Sequence, residues 1–225
     1  MRIESIKQFL RLNPNLLCNL YNFLNVFNIT RIKSHPTNNL NYYKAFLRRT
    51  SIHAKSKNNI IHILPSSYLN NCSIAIYGEN NKVTIGEGCS LRDVEIHIED
   101  NNNEIRIGRR TTIAGTTHLA CIEGTKISIG NDCMFSKDIT FRTGDSHSIV
   151  NLEGERINPS KDINIGNHVW VGNRVILTKG TKVSDNSVIG TGSIVSKNFE
   201  EPNIVIAGVP AKKVNENINW LRERI

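Results

Sequence analysis

From residue 163 to residue 196 the chain reads INIGNHVWVGNRVILTKGTKVSDNSVIGTGSIVS. Aliphatic residues fall every six positions in it, at Ile165, Val171, Leu177, Val183, Ile189 and Val195. Four residues after each of the first five stand Val169, Val175, Thr181, Ser187 and Ser193, all small or β-branched, and Gly166, Gly172 and Gly190 directly follow three of the aliphatic positions. A period of six matches neither the 3.6 of an α-helix nor the two-residue alternation of a strand. It matches a chain that makes a short strand and a corner every six residues, so that three hexapeptides close one triangular coil with the aliphatic side chains stacked inside.

A longer period runs upstream. KVTIGEGC from 82, EIRIGRRT from 104, KISIGNDC from 126 and DINIGNHV from 162 align on Ile85, Ile107, Ile129 and Ile165. The first two intervals are 22 residues, and a further step back from Ile85 lands on Ile63. A unit of 22 is one coil with about four residues bulged from a corner, and the Asn-rich stretches GENNK (78–82) and EDNNNE (99–104) suit such bulges. The interval from Ile129 to Ile165 is 36, an excess of 14 over the repeat, and it contains RTGDSHSIVN (142–151). The expected architecture is all-β, a parallel β-helix of about six coils over 58–214 with an extended loop at 142–162. It is preceded by a basic helical segment (1–57) and followed by a short C-terminal helix (215–225).

With 225 residues and 39% hydrophobic content, the chain can bury a substantial core. No apolar run reaches the length of a membrane span and the first residues lack a secretory pattern, so a cytoplasmic location is expected. The five cysteines, at 18, 72, 89, 121 and 133, have no metal-ligand spacing and are expected to be reduced thiols. The net charge of +8 is uneven: residues 1–57 hold ten Lys/Arg and one acid, Glu4, for +9, and the remaining 18 Lys/Arg and 19 Asp/Glu give −1. Such a basic segment attracts polyanions or anionic lipid. Within it, SIKQFLRL and PNLLCNLYNFLNVF carry apolar residues at helical spacing, and the expectation is two short helices that either cap the open first coil or serve as a docking arm. The segment lacks the interleaved aromatics of a nucleic-acid-binding fold, and nucleic acid is not expected as a partner.

Residues 163–214, together with the loop RTGDSHSI and the terminal KNFEEPNIVIAGVPAKKVNENINW, resemble the hexapeptide-repeat acetyltransferases, and within them the capsular polysialic acid O-acetyltransferases of bacteria. The resemblance is specific over roughly 124–220, weaker over 60–123 and absent before about 55. It implies a left-handed helix, a handedness that periodicity does not give. It also implies an acetyl-CoA cosubstrate, no metal, a homotrimer, and a glycan acceptor such as sialic acid in capsule or lipopolysaccharide. Alternatives are a small acceptor (a free sugar, a nucleotide-sugar amine, serine or an antibiotic) or a non-catalytic β-helix.

Acetyl transfer to a sugar hydroxyl needs a base, and a histidine near neutrality suits the task. Of the seven histidines only His147 lies in the 14-residue excess, and the resemblance makes it the catalytic base. His118 is ambiguous, because it sits one coil before the loop and could line the same groove. Asp145 either orients the imidazole, contacts the sugar or makes a turn. Trp170 is either an acceptor-binding surface or an incidental exposed aromatic. By resemblance Asn173, Thr191, Ser196, Lys197 and Lys212 contact the cosubstrate, and Gly172 and Gly190 leave the backbone accessible to it. An acceptor-binding asparagine of the family has no counterpart near 116, where Thr116 and Thr117 stand. Cys89 and Cys133 fall on inward positions, which favours direct transfer over an acetyl-enzyme.

Overall fold

The computed structural model describes residues 13–225 apart from Phe27 and Ile29. Strands of two to five residues follow one another around a triangular prism, and every coil contributes one strand to each of three parallel sheets. The first sheet holds eight strands, from β1 (Arg31–Ser34) through β16 (Ile139–Arg142) and β19 (Ile176–Thr178) to β22 (Ile194–Val195). The second also holds eight. The third holds nine, of which the last, β25 (Ala211–Asn215), runs antiparallel to β24 (Val205–Gly208) and closes the C-terminal edge.

The expected isoleucine file is the register of the second sheet: Ile63 aligns with Ile85, then Ile107, Ile129, Ile165 and Val183. In the first sheet Ile52, Ile74, Ile96, Leu119, Phe141, Leu177 and Val195 stack in the same way. All are buried, so each coil screens the apolar side chains of the next from water.

The Asn-rich bulges have a physical cause. Asn58, Asn80 and Asn102 take the left-handed backbone (φ 58, 57 and 62°) that turns the chain, a conformation Asn tolerates better than most residues. Each is followed by a buried asparagine, and these form a ladder. Asn81 N donates to Asn59 Oδ1 and Asn103 N to Asn81 Oδ1, both at 2.8 Å, while the Asn81 amide donates to the Asp100 carbonyl at 2.9 Å. The opposite corner is plugged by Ser67, Cys89, Thr111 and Cys133, whose side chains donate to the carbonyls of Gly86, Gly108, Gly130 and Gly166 one coil on.

Three expectations need correction. The solenoid has about eight coils rather than six, because it begins at Arg31: β1 to β4 (Ser51–Ala54) lie in what was expected to be a helical segment. Of their inward residues, Leu47 and Ile52 are buried, while Ile32 and Leu40 nearer the open end are only partly buried. Among the described residues one helix precedes these strands, α1 (Pro14–Val26); the other expected helix, SIKQFLRL, lies outside the described residues. Residues 216–225 form no helix and fold back along the prism, with Ile218 N donating to the Asn203 carbonyl (3.0 Å).

The asparagines of α1 that look like helix breakers have a partner. β3 (Phe46–Arg48) is the free edge of the third sheet, and Lys44 N and Leu47 N donate to the side-chain oxygens of Asn22 and Asn25 at 2.9 and 3.1 Å. Asn25 and Asn28 in turn donate to the Ala45 and Leu47 carbonyls. Edge groups that could pair with another chain are thus satisfied from within.

Candidate active site

The 36-residue step leaves the prism at the corner between the first and second sheets, directly after Arg142. Its distal part is a small hairpin, with Ile157 N donating to the Ile149 carbonyl and Asn151 N to that of Glu155. Asn158, 6% exposed, ties the base together. Its amide donates to Asp145 Oδ2 and to the His147 carbonyl, both at 2.8 Å, and its oxygen accepts from Ile149 N at 2.7 Å. Lys179, one coil on, pairs with Asp145 and donates to the Asn158 carbonyl at 3.1 Å. Arg156 pairs with Glu123 at 2.8 Å. The hydrogen bonds from Lys179 and then Asn158 hold the Asp145 carboxyl below the usual aspartate range, and those from Arg156 and Ser160 do the same for Glu123.

His147 is exposed on this anchored loop, its backbone carbonyl fixed by Asn158 and its imidazole pointed at no described partner. Asp145 does not orient that imidazole; its carboxylate is engaged by Lys179 and Asn158. Lys179 and Asn158 therefore belong to the site's support, and no sequence pattern marked them, since they lie 34 and 13 residues from Asp145.

The remaining candidates divide between two corners. Ser196 and Lys197 follow β22, on the same corner as the loop: Leu177 aligns with Val195, so Thr178 and Lys179 lie one coil below them. Both are exposed, and Lys197 lies over the Phe199 ring with no acidic partner among the described residues. Trp170 lies on the outer face of the third sheet, 40% exposed, between Met134 and Val188. Gly172 and Asn173, then Gly190 and Thr191, sit on successive coils at the corner between the third and first sheets, and Lys212 pairs in register with Ala207 on the closing strand. A Cβ on Gly172 would come within 2.7 Å of the Thr191 nitrogen, and one on Gly190 within 2.9 Å of the Ala207 Cβ. Close coil stacking by itself thus requires glycine at both. The Asn173 side-chain oxygen is buried with no hydrogen-bond partner, an open acceptor at a position the resemblance assigns to the cosubstrate. Lys212 is exposed and has no acidic partner among the described residues, whereas the adjacent Lys213 is held by Glu201 and Glu216.

Five of the other histidines, His35, His53, His97, His118 and His168, have side-chain partners. His118 aligns with Thr140 on the strand that leads into the loop, and its Nδ1 lies 3.2 Å from Glu95; His97 pairs with Glu99 at 2.9 Å. Their rings form a file with His53 and Tyr77 on the outer face of the first sheet. His168 is held by Asp132 and Trp220. All five cysteines are buried, and burial pushes the Cys89 thiol up to about 12 and those of Cys72 and Cys133 to about 11, which leaves none of these three as a ready nucleophile. Thr117, which stands where the family asparagine was sought, is buried and donates to the Gly115 carbonyl. Among the described residues no His, Cys, Asp or Glu side chains gather as a metal-ligand group.

No protein-family model matches the sequence. A polysialic acid O-acetyltransferase of Neisseria meningitidis is 39% identical over 113 residues, which is 50% of this chain and 53% of that protein. A galactoside O-acetyltransferase of Escherichia coli K12 is 38% identical over 101 residues, 44% of this chain and 48% of that one. The chain spans about half the length of the curated relatives it matches. Solved structures extend the likeness: the polySia-specific acetyltransferase NeuO (30% identity, TM-score 0.63) covers 78% of this chain and 90% of its own, and the polysialic acid O-acetyltransferase OatWY (34%, TM-score 0.55) covers 88% and 93%. The eight-coil prism is thus a left-handed parallel β-helix, and the chain belongs to the hexapeptide-repeat O-acetyltransferases.

Proposed function

We propose that the protein transfers an acetyl group from acetyl-CoA to a hydroxyl of a bacterial surface glycan, with sialic acid in capsule or lipopolysaccharide as the acceptor, by direct transfer. The observation that carries this reading is an exposed imidazole, His147, on a loop whose base is pinned by Asn158, Lys179 and Arg156, in a chain with this fold. The imidazole takes the hydroxyl proton as the oxygen attacks the thioester carbonyl; the C–S bond breaks, and the imidazolium returns the proton to the departing thiolate. Asp145 holds the loop through Lys179 and borders the sugar, and Trp170 offers a flat apolar face to the sugar or to the acyl arm.

The residues present suit the cosubstrate. Asn173 supplies a buried acceptor in want of an amide N–H, Thr191 supplies a hydroxyl one coil on at the same corner and Ser196 one at the loop's corner, the stacked Gly172 and Gly190 keep the backbone within reach, and the uncommitted Lys197 and Lys212 suit phosphates. Because the loop leaves one corner while Trp170 and Asn173 lie at another, a single copy does not surround a substrate. A homotrimer resolves this by setting the loop of one copy against the third sheet of its neighbour, and the neighbour would also cover the exposed Ile149, Val150, Leu152 and Ile157.

Among the described residues no helix is long and apolar enough to cross a membrane. The reading places the reaction in the cytoplasm, where the basic residues of coils one and two would attract an anionic glycan or the inner membrane face. Thiol release from acetyl-CoA, measured across oligosialic acid, free sialic acid, nucleotide sugars, galactosides and serine, tests the reading. Turnover on the sialylated acceptors supports it, and turnover confined to serine or to an amine would sink it.

A further inference from the structure

We infer that the C-terminal tail is a clasp that sets the orientation of Trp170, with Trp220 and His168 as positioning residues. The inference rests on the reading of Trp170 as part of the acyl-transfer site. Beyond β25 the chain turns back and descends along the corner between the second and third sheets, touching Asn203, then His168, then Asp132 and Thr112 on successively lower coils. It passes Trp170 at Trp220, whose ring centroid lies 6.2 Å away at an interplanar angle of 47°. Met134 and Val188, the strand neighbours of Trp170, offer no aromatic wall, so Trp220 is the ring against which the Trp170 indole rests.

Trp220 is itself held on every side. It stacks on His168 with centroids 4.1 Å apart and 8° between planes, and its indole N–H donates to the His168 carbonyl at 2.8 Å. His168 Nε2 lies 3.0 Å from the Trp220 carbonyl oxygen and Nδ1 lies 2.9 Å from Asp132 Oδ2. With both ring nitrogens engaged, His168 supports Trp220 and offers no free nitrogen to a substrate. Arg222 closes the clasp: its guanidinium meets Asp132 Oδ1 at 3.1 Å, the Cys133 carbonyl at 3.0 Å and Thr112 Oγ1 at 2.9 Å, and it lies over the Trp220 ring.

Covering the core does not explain this effort. Trp220 is 5% exposed yet stands outside the aliphatic stack of the prism, whose C-terminal edge β25 already closes. What the clasp does immobilise is the wall beside Trp170.

Because the protein has only two tryptophans, Trp220→Phe and Trp220→Ala each leave Trp170 as the sole indole, and its fluorescence reports its surroundings. The expected result is a Trp170 emission that is red-shifted and more readily quenched by acrylamide in Trp220→Ala than in Trp220→Phe. Acetyl transfer should fall by on the order of 10²-fold in the Ala variant, as for a misplaced reacting surface, and be largely restored by Phe. Equal emission and quenching in the two variants would overturn the inference, and so would wild-type kcat in Trp220→Ala. If circular dichroism shows that Trp220→Ala does not fold, Arg222→Ala in the Trp220→Phe background loosens the clasp while keeping the ring, and unchanged Trp170 quenching there overturns the inference equally. A wild-type protein that releases no thiol with any acceptor refutes the acyl-transfer reading, while the fluorescence comparison still decides whether the clasp orients Trp170.

Discussion

Between Ile63 and Ile129 the inward file of the second sheet advances by 22 residues per coil, whereas from Ile165 to Val183 it advances by 18. The four extra residues in each lower coil build a corner that satisfies itself: a left-handed asparagine turns the chain and a buried one bonds to the coils on either side. The upper coils have no such bulge and carry the open Asn173 oxygen, Lys197 and Lys212, which have no acidic partner among the described residues, and the exposed imidazole of His147. On the proposed reading, stability and chemistry belong to different coils of one solenoid. Substitutions in the two regions should fail in different ways.

The largest effect belongs to the loop. His147→Ala should lower kcat by about 10²–10⁴-fold, the usual worth of a positioned base, while the melting temperature and acetyl-CoA affinity stay at wild-type values. Thiol-release kinetics with calorimetric titration of coenzyme A separate the two, and full activity in the variant rejects the mechanism. The opposite signature is expected from Asn81→Ala in the lower stack, which orphans the Asn103 N–H and the Asp100 carbonyl. At about 1–3 kcal/mol per buried unsatisfied group, unfolding in urea should show the loss plainly while the folded fraction keeps its kinetic constants. A raised KM in that variant would erase the division between coils.

A third effect tests the open cations. Lys197→Ala and Lys212→Ala should each raise the KM for acetyl-CoA roughly tenfold, within the range of a charge-assisted hydrogen bond, and leave the KM for acetyl-pantetheine, which has no phosphates, where it was. An equal rise for both donors would place these lysines elsewhere than at the phosphates.

The same division explains what could be read in advance. The prism was legible because every inward position repeats at a fixed step, and the loop that carries His147 was legible because that step is broken there. The first coil, β1 to β3, was missed because each strand holds three or four residues with a single inward aliphatic, so composition and the neighbouring asparagines dominate. The supports of the site were missed for another reason. Asp145 meets Lys179 across 34 residues, Trp220 meets His168 across 52, and Arg222 meets Asp132 across 90. Such pairs form because the solenoid sets distant coils side by side, and local spacing carries no trace of them. The second tryptophan, near the end of the chain in a segment read as helix, was the one cue to the clasp.

The smallest effect concerns pH and the base of the loop. The Asp145 carboxyl is held below the usual aspartate range by Lys179 and Asn158, so it binds its proton less readily in the folded protein than in the unfolded chain. Its contribution is therefore complete above the ordinary aspartate pKa and is lost as pH falls through the depressed folded value. Because the carboxylate is 40% exposed, solvent screens the pair, and the consequence is local opening of the loop rather than global unfolding. Hydrogen exchange at the Ile149 amide, which donates to Asn158, reports that opening. Protection, corrected for intrinsic rates, should be constant from pH 7 to 5 and fall below about pH 4. Asp145→Asn, which cannot pair with Lys179, should show reduced protection already at pH 7 and no further step in acid. An acid step of the same size in Asp145→Asn would assign the opening to another carboxylate, with Glu123, the partner of Arg156 at the far side of the loop, next in line.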